Sequence, residues 1–278
     1  MAQRHRLDLH LLTQGLASSR QQAQLLIRAG KVRDLNGQLL DKPSQGVATD
    51  LELRVEQPPR FVSRGGEKLL GALKVFSVQL EGRVCLDCGI STGGFTDCLL
   101  QHGAARVYGI DVGYGQTAWK LRVDPRLVLR ERTNLRKLSS EQLYSAADPQ
   151  ADLAVADLSF ISLRLVLPAI RALLKSGEAE AVVLVKPQFE VGRQRVGKGG
   201  VVRDPAAHVD ALESVIAAAA ELGWQPQGVV ASPITGPAGN HEYLLWLAAP
   251  IGLADQSKPE LSKPDLPELA DLVADTLA

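Results

Sequence analysis

Residues 84–95, VCLDCGISTGGF, decide how this chain is read. A short apolar run, 84–88, meets a glycine-rich turn, and from Phe95 to His102 the apolar residues recur at helical spacing. Strand, glycine loop and helix in that order form the element with which α/β folds meet nucleotide-like cofactors. The spacing excludes two cofactor classes. A dinucleotide fingerprint starting at Gly89 needs glycine at 91, where Ser91 stands, and a phosphate loop needs a Gly-Lys-Ser/Thr triplet that is absent. Asp111 closes VYGIDVG about twenty residues further on, where a carboxylate can accept both hydroxyls of a ribose. Asp157 ends a later strand, in AVADLSF. Ligands of open parallel sheets bind at the carboxyl ends of the strands, so these residues should converge.

Outward from this loop, residues 60–250 alternate strand and helix patterns. Strands are expected at 84–88, 106–111, 127–130, 153–157, 181–186, 228–231 and 243–248, with helices such as 95–102, 163–174 and 207–222 between them. The expected fold class is α/β: a Rossmann-like parallel sheet with an antiparallel last strand, preceded by a small α+β domain. Four polar residues stand where a bland core would be apolar: Lys68 in SRGGEKL, Asp157, Lys186 at the end of AVVLVK, and Glu242 opening EYLLWLA. A lysine at the end of an aliphatic strand is costly unless it is paired or used.

The loop DxGxSTGGF resembles the first motif of S-adenosylmethionine methyltransferases. The set Lys68–Asp157–Lys186–Glu242 resembles the tetrad of FtsJ-like RNA ribose methyltransferases. The wider run of FVSRGGEKL, LDCGISTGGFTD, DVGYGQ, ERTNLR, VADLSFISL, VKPQFEVG, GGVVRDP and GNHEYLLWL is similar to the TlyA, or haemolysin A, family over roughly residues 4–248. The resemblance implies S-adenosylmethionine-dependent 2′-O-methylation of cytidine ribose in ribosomal RNA. It implies cofactor contacts from Asp87, Gly89, Ser91, Thr92, Gly93, Gly94, Phe95, Asp111, Asn134 and Asp157. The sulfonium already activates the methyl group, so the protein has to align donor and acceptor and handle one proton. Two neighbouring lysines lower each other's pKa, which makes Lys186 the candidate base, with Lys68, Asp157 and Glu242 orienting it and the 2′-oxygen.

The N-terminal residues read as a separate unit. Leu7, Leu11 and Leu12 mark a first helix closed by Gly15, and Ser18 or Ser19 caps a second that ends at Gly30. Short strands are expected at Lys31–Val32 and Asp50–Val55, with a turn at Asn36–Gly37, forming one small sheet. The run RLD followed by residues 15–47 resembles the S-four RNA-binding domain. That resemblance places Arg6, Ser19, Arg20, Gln24 and Lys31 on the RNA face; Asp34-Leu35 departs from the β-branched residue usual before the turn. Arg60-Phe61-Val62-Ser63 corresponds to a linker that influences cofactor binding in the family, with a tryptophan usual at Phe61. The expected division is 1–58 RNA-binding domain, 59–64 linker, 65–250 methyltransferase domain and 251–278 acidic tail.

Charge agrees with an RNA partner at one end. Residues 1–80 carry 12 Lys and Arg against 7 Asp and Glu, and residues 251–278 carry 2 against 6. A solvated surface accounts for the same excess. The segment 189–203 is basic and glycine-rich, either a mobile RNA-gripping loop or a solvated one. Cys85 and Cys88 form a CxxC, but zinc needs two further ligands and only Cys98 and His102 are local; small buried side chains at a strand end are the simpler account. No metal is expected. The first twelve residues, MAQRHRLDLHLL, lack a signal peptide's apolar core, and no run approaches the ~20 apolar residues of a membrane-spanning helix. The expected setting is the cytoplasm, the partner ribosomal RNA or ribosomal subunits, with no membrane role. Two rival readings are a membrane-active haemolysin, which needs a spanning element the sequence does not offer, and an RNA-binding protein with an inactive methyltransferase fold.

Overall fold

The computed structural model describes residues 4–56, 59–249 and 268–278. The chain divides into two units between Pro59 and Arg60. In the first, strand β1 (Arg4–Arg6) leads directly into α1 (Leu7–Thr13), and Gly15 takes φ 70° after it. Ser19 accepts the backbone N–H of Gln22 and so caps α2 (Arg20–Arg28). Strands β2 (Val32–Asp34), β3 (Gly46–Ala48) and β4 (Leu53–Val55) follow. They pair antiparallel as β1–β3 and β2–β4, two ribbons in place of the single small sheet expected. The sequence gives no sign of β1, because RHR has no apolar alternation. Leu7, Leu11, Ala23, Ile27, Val32, Val47 and Leu53 form the core of this unit. Asp34 accepts the N–H of Gln38 at 2.7 Å across the turn at Gly37, so the unusual residue there closes the turn itself.

The second unit holds α3 (Gly65–Leu73), β5 (Val84–Cys88), α4 (Gly94–Gln101), β6 (Arg106–Ile110), α5 (Trp119–Arg122), β7 (Leu127–Arg130), α6 (Ser140–Leu143), β8 (Leu153–Ala156), α7 (Leu167–Leu173), β9 (Ala179–Val185), α8 (Pro187–Glu190), α9 (Pro205–Glu221), β10 (Gln225–Ala231), β11 (Tyr243–Ala249) and α10 (Leu269–Leu277). The sheet order is β10-β11-β9-β8-β5-β6-β7, with β5 to β9 mutually parallel and β11 antiparallel to both its neighbours. Both faces are covered. Along β9, Ala181, Val183 and Val185 join the layer under α7, α9 and α10, while Val182 and Leu184 join the layer under α3 and α4. A strand buried on both sides reads as an unbroken apolar run, as AVVLV does.

Most element ends shift by one to three residues from expectation, and three differences are larger. The helix expected over 163–174 is a 3-10 turn, Leu163–Leu165, followed by α7, because Pro168 sits in the first turn of a new helix. The linker expected to end at residue 64 already belongs to the second unit. Phe61 is buried there, and a Cβ on Gly66 would lie 2.3 Å from its ring. Val62 donates its N–H to the Asp97 carboxylate at 2.8 Å. The acidic tail expected over 251–278 lies outside the described residues up to 267. Its last part is a helix, α10, with Val273 fully buried in the sheet layer that holds α9.

Candidate active site

The sheet reverses direction of growth between β5 and β8: β6 and β7 lie to one side, β9 to the other. That switch point opens the crevice used for ligands in such sheets. The loop after β5 enters it with Gly89 at φ 85°, Ser91 at 49° and Gly93 at 98°. A Cβ on Gly93 would meet Leu121 at 2.2 Å, so glycine is required there both by backbone and by space. Asp111, one residue beyond β6, clamps the loop: one oxygen accepts Ser91 N–H at 2.8 Å and the other Gly113 N–H at 2.7 Å. Each carboxylate oxygen keeps a second acceptor site for a ligand hydroxyl.

Asp87 lies beneath the loop, almost fully buried. Its Oδ2 accepts Thr96 N–H at 3.0 Å and Thr96 Oγ1 at 2.6 Å, while Oδ1 has no partner among the described residues. Burial, helped by the charges of Asp157 and Asp111, pushes this carboxyl up to about 7 against the opposing Thr96 hydrogen bonds. The orphaned oxygen belongs to a residue that lines a cavity of about 220 Å3, together with Gly89, Ser91, Thr92, Gly94 and Phe95. A second cavity of about 380 Å3 shares Gly89, Ser91, Asp157 and Ser159 with it and adds Asp111 and apolar walls from Ile110, Val112, Leu135 and Leu158. An acidic, partly apolar double cavity fits a cationic nucleoside: an ammonium or sulfonium for Asp87, ribose hydroxyls for Asp111 and a purine for the apolar wall.

The four tetrad residues meet on the floor of the first cavity. Lys68, from α3, lies 2.6 Å from Glu242 and 3.6 Å from Asp157. Lys186 lies 2.6 Å from Asp157 and donates to Ser159 Oγ at 2.9 Å. Topology explains how residues so far apart in sequence converge: β8 and β9 are neighbours, and the β9–β11 register that sets Tyr243 against Val185 places Glu242 opposite Lys186. The expected pair of mutually repelling lysines is a different arrangement in space. Asp157 lies between them, so each ammonium faces a carboxylate. With the side chain of Glu242 only 2% exposed, removal of Lys68 strands a buried charge, at roughly 3–5 kcal/mol.

Most of the residues expected at the cofactor line one of the two cavities; Gly93 and Asn134 do not. Gly93 works from behind as the N-cap of α4. Asn134 is exposed, and its side chain accepts Arg136 N–H to cap a 3-10 turn, while its neighbours Thr133 and Leu135 reach the cavity. Sequence reasoning missed Ser159 and Phe160, and named Ser63 only as part of the linker, whereas it lines the first cavity. Ser159 and Phe160 sit beside Asp157 in ADLSF, the only signal available for them. Phe160 is 92% exposed at φ 64°, with its ring centroid 5.4 Å from that of Phe189. A bulky residue in the left-handed region, with its ring exposed, carries backbone strain.

The basic segment 189–203 is anchored at both ends. Glu190, which burial raises above its ordinary pKa, accepts from Ser162 Oγ at 2.6 Å and Leu163 N–H at 2.7 Å. Asn240 accepts Val202 N–H at 3.0 Å and donates to Gly200 O at 2.8 Å. Arg193 and Lys198 remain exposed between these anchors, and Arg203 just beyond the second. Cys85, Cys88 and Cys98 are buried and free, and burial pushes the thiols of Cys85 and Cys98 up to about 12.

In the first unit, Arg6, Arg20 and Gln24 converge on one carboxylate, Asp8, which was not among the expected site residues. Ser19 serves as the α2 cap. Lys31, which precedes β2, stands outside the cluster, its backbone joined to Leu26 and Glu56.

The sheet, its switch-point loop and the acidic crevice define an S-adenosylmethionine-dependent methyltransferase. The FtsJ-like methyltransferase family model matches residues 61–249, and the S4 domain model matches residues 5–53. The chain is 53% identical over 249 residues to the 16S/23S rRNA (cytidine-2′-O)-methyltransferase TlyA of Mycobacterium tuberculosis, covering 89% of this chain and 91% of that one. It is 40% identical over 239 residues to hemolysin A of Brachyspira hyodysenteriae, covering 86% and 98%. A solved structure assigned as a hemolysin, from Streptococcus thermophilus, shares 38% identity at a TM-score of 0.70 over 99% of this chain and 96% of that chain. The chain belongs to the TlyA family, an S4 domain joined to an FtsJ-like methyltransferase domain. No helix among the described residues is long and apolar enough to cross a membrane.

Proposed function

We propose that this enzyme methylates the 2′-hydroxyl of cytidine in ribosomal RNA, within ribosomal subunits or their precursors in the cytoplasm. The observation that carries the reading is the Glu242–Lys68–Asp157–Lys186 chain lining the same crevice as the glycine loop and Asp87. S-Adenosylmethionine supplies a methyl group already activated on a sulfonium. Asp87, through its orphaned oxygen, would hold the ammonium of the methionyl part. Asp111 would accept the ribose hydroxyls, and Ile110, Val112, Leu135 and Leu158 would flank the purine.

The tetrad handles the acceptor. Lys186 would take the proton of the 2′-hydroxyl while the oxygen–methyl bond forms and the methyl–sulfur bond breaks, the sulfonium leaving as a neutral thioether. The ammonium so formed stands 2.6 Å from Asp157 and donates to Ser159. Lys68, fixed on Glu242 and near Asp157, orients the carboxylate that receives this charge. Held geometry is the larger part of the rate, since alignment of donor and acceptor replaces a bimolecular encounter. The first unit grips RNA through Arg6 and Arg20, with Arg193, Lys198 and Arg203 of the second unit adding phosphate contacts. The test is site-mapping of 2′-O-methyl groups in ribosomal RNA from cells with and without the protein, followed by transfer to unmethylated 30S and 50S subunits in vitro. One or more cytidines should lose the mark in its absence; an unchanged map with no transfer to either subunit refutes the reading.

A further inference from the structure

We propose that Asp8 is the positioning residue of the RNA face: it fixes Arg6 and Arg20 side by side so that their free N–H groups meet phosphate already oriented. The proposal rests on reading the first unit as the RNA-binding unit. Asp8 lies in the first turn of α1 with its side chain fully buried, yet its partners come from two other elements, β1 and α2. Its Oδ1 accepts Arg6 Nε at 3.0 Å, and its Oδ2 accepts Arg6 Nη2 at 3.0 Å, Arg20 Nε at 3.0 Å and Gln24 Nε2 at 2.9 Å. The arginine side chains themselves are 43% and 53% exposed.

The pattern of used and unused donors gives the direction. Arg20 spends only Nε on Asp8, and Arg6 spends Nε and Nη2. Among the described residues, both terminal nitrogens of Arg20 and Nη1 of Arg6 have no protein partner. One carboxylate against two guanidinium groups leaves the cluster with a net positive charge and an outward-facing set of planar donors, the geometry that suits phosphate oxygens. The arginine hydrogen bonds hold the Asp8 carboxyl far below the usual carboxylate range, so the anchor stays charged at any working pH. Flexible arginines must be ordered when they bind, which weakens contact; ordering them beforehand removes that loss.

The test uses the full-length protein and a fluorescein-labelled RNA hairpin of ribosomal sequence, with anisotropy titrations over a salt series. Asp8→Asn keeps the size of the side chain and makes the face more positive by one charge. Positioning predicts RNA affinity about tenfold weaker in spite of the added charge. A charge-only account predicts tighter binding and a salt slope steeper by about one; tighter or unchanged binding overturns the proposal. Repeating the substitution in an Arg6→Ala/Arg20→Ala background separates positioning from folding, because with neither arginine left to position the loss should disappear there. A full tenfold loss in that background means Asp8 acts through the fold and overturns the proposal. Where Asp8→Asn fails to fold, Arg20→Lys carries the test: charge is kept but the fork is lost, and unchanged affinity overturns it. Arg20→Ala by itself separates the two ideas. No loss of RNA affinity in that variant removes the RNA-face reading, whereas loss there without loss in Asp8→Asn removes only the role of Asp8.

Discussion

Asp87→Asn is the perturbation most directly fixed by the structure. The carboxyl stands at about 7 in the folded protein against 3.8 for an ordinary aspartate, chiefly because burial disfavours its charge. The folded state therefore holds a proton that the unfolded state has released between those values. Stability contributed by this group is complete below pH 3.8 and declines as pH rises towards 7. Three pH units at about 1.4 kcal/mol each give a ceiling of ~4 kcal/mol lost by pH 8 in the cofactor-free enzyme. Asparagine carries no such charge and keeps an acceptor for Thr96. Paired carboxylates elsewhere, such as Asp124 and Glu131, have lowered pKa values and slope the opposite way, so the comparison must be between wild type and variant. Chemical unfolding at pH 5 and pH 8 should show the variant gaining on wild type by up to ~3 kcal/mol, since about two of those pH units fall between the two conditions. Cofactor binding should move in the other sense: ionised Asp87 receives the ammonium, so calorimetry should find wild-type affinity about tenfold tighter at pH 8 than at pH 6. Asp87→Asn should bind more weakly and with no such dependence. Parallel pH profiles for both proteins, in stability and in binding, would refute the assignment of Asp87 and its orphaned oxygen.

Lys186→Ala should lower methyl transfer to unmethylated subunits by at least ~10²–10⁴-fold, with cofactor affinity largely kept, and Lys186→Arg should not restore it; near wild-type turnover of tritiated methyl would leave the tetrad a plain ion-pair rim. Asp111→Ala should weaken S-adenosylmethionine binding by ~1.5–3 kcal/mol in calorimetry, less any part due to loosening of the Ser91 and Gly113 clamp. Glu242→Gln should lower stability by roughly 3–5 kcal/mol in urea unfolding as well as activity, because Lys68 loses its 2.6 Å partner in a nearly closed site; a variant as stable as wild type means that Lys68 moves to another partner.

What one stretch of chain could declare, the sequence declared. VCLDCGISTGGF carries the strand, the loop and the helix start within twelve residues, and local periodicity plus glycine spacing is enough to read them. AVVLV was readable as a strand from its aliphatic run, while its burial on both faces is known from the helices that cover it. Two elements went unread: β1 is Arg-His-Arg, held by pairing to β3 with no apolar alternation, whereas α10 spaces Leu269, Leu272, Val273 and Leu277 as a helix does, a signal overlooked inside a tail read as acidic. Sequence order named Lys68, Asp157, Lys186 and Glu242 as a set, but not who faces whom. Asp157 between the lysines, Glu242 opposite Lys186 across the β9–β11 register, and Ser159 on the far side of Lys186 are products of strand order. Asp8 is the clearest case: in the sequence it is one acid in a basic stretch, and only the packing of α1 against α2 makes it the point where two arginines and a glutamine meet. Local spacing fixes which residues share a strand or a helix face; charge pairing depends on distances of a few ångströms between elements, and those exist only once the chain has folded.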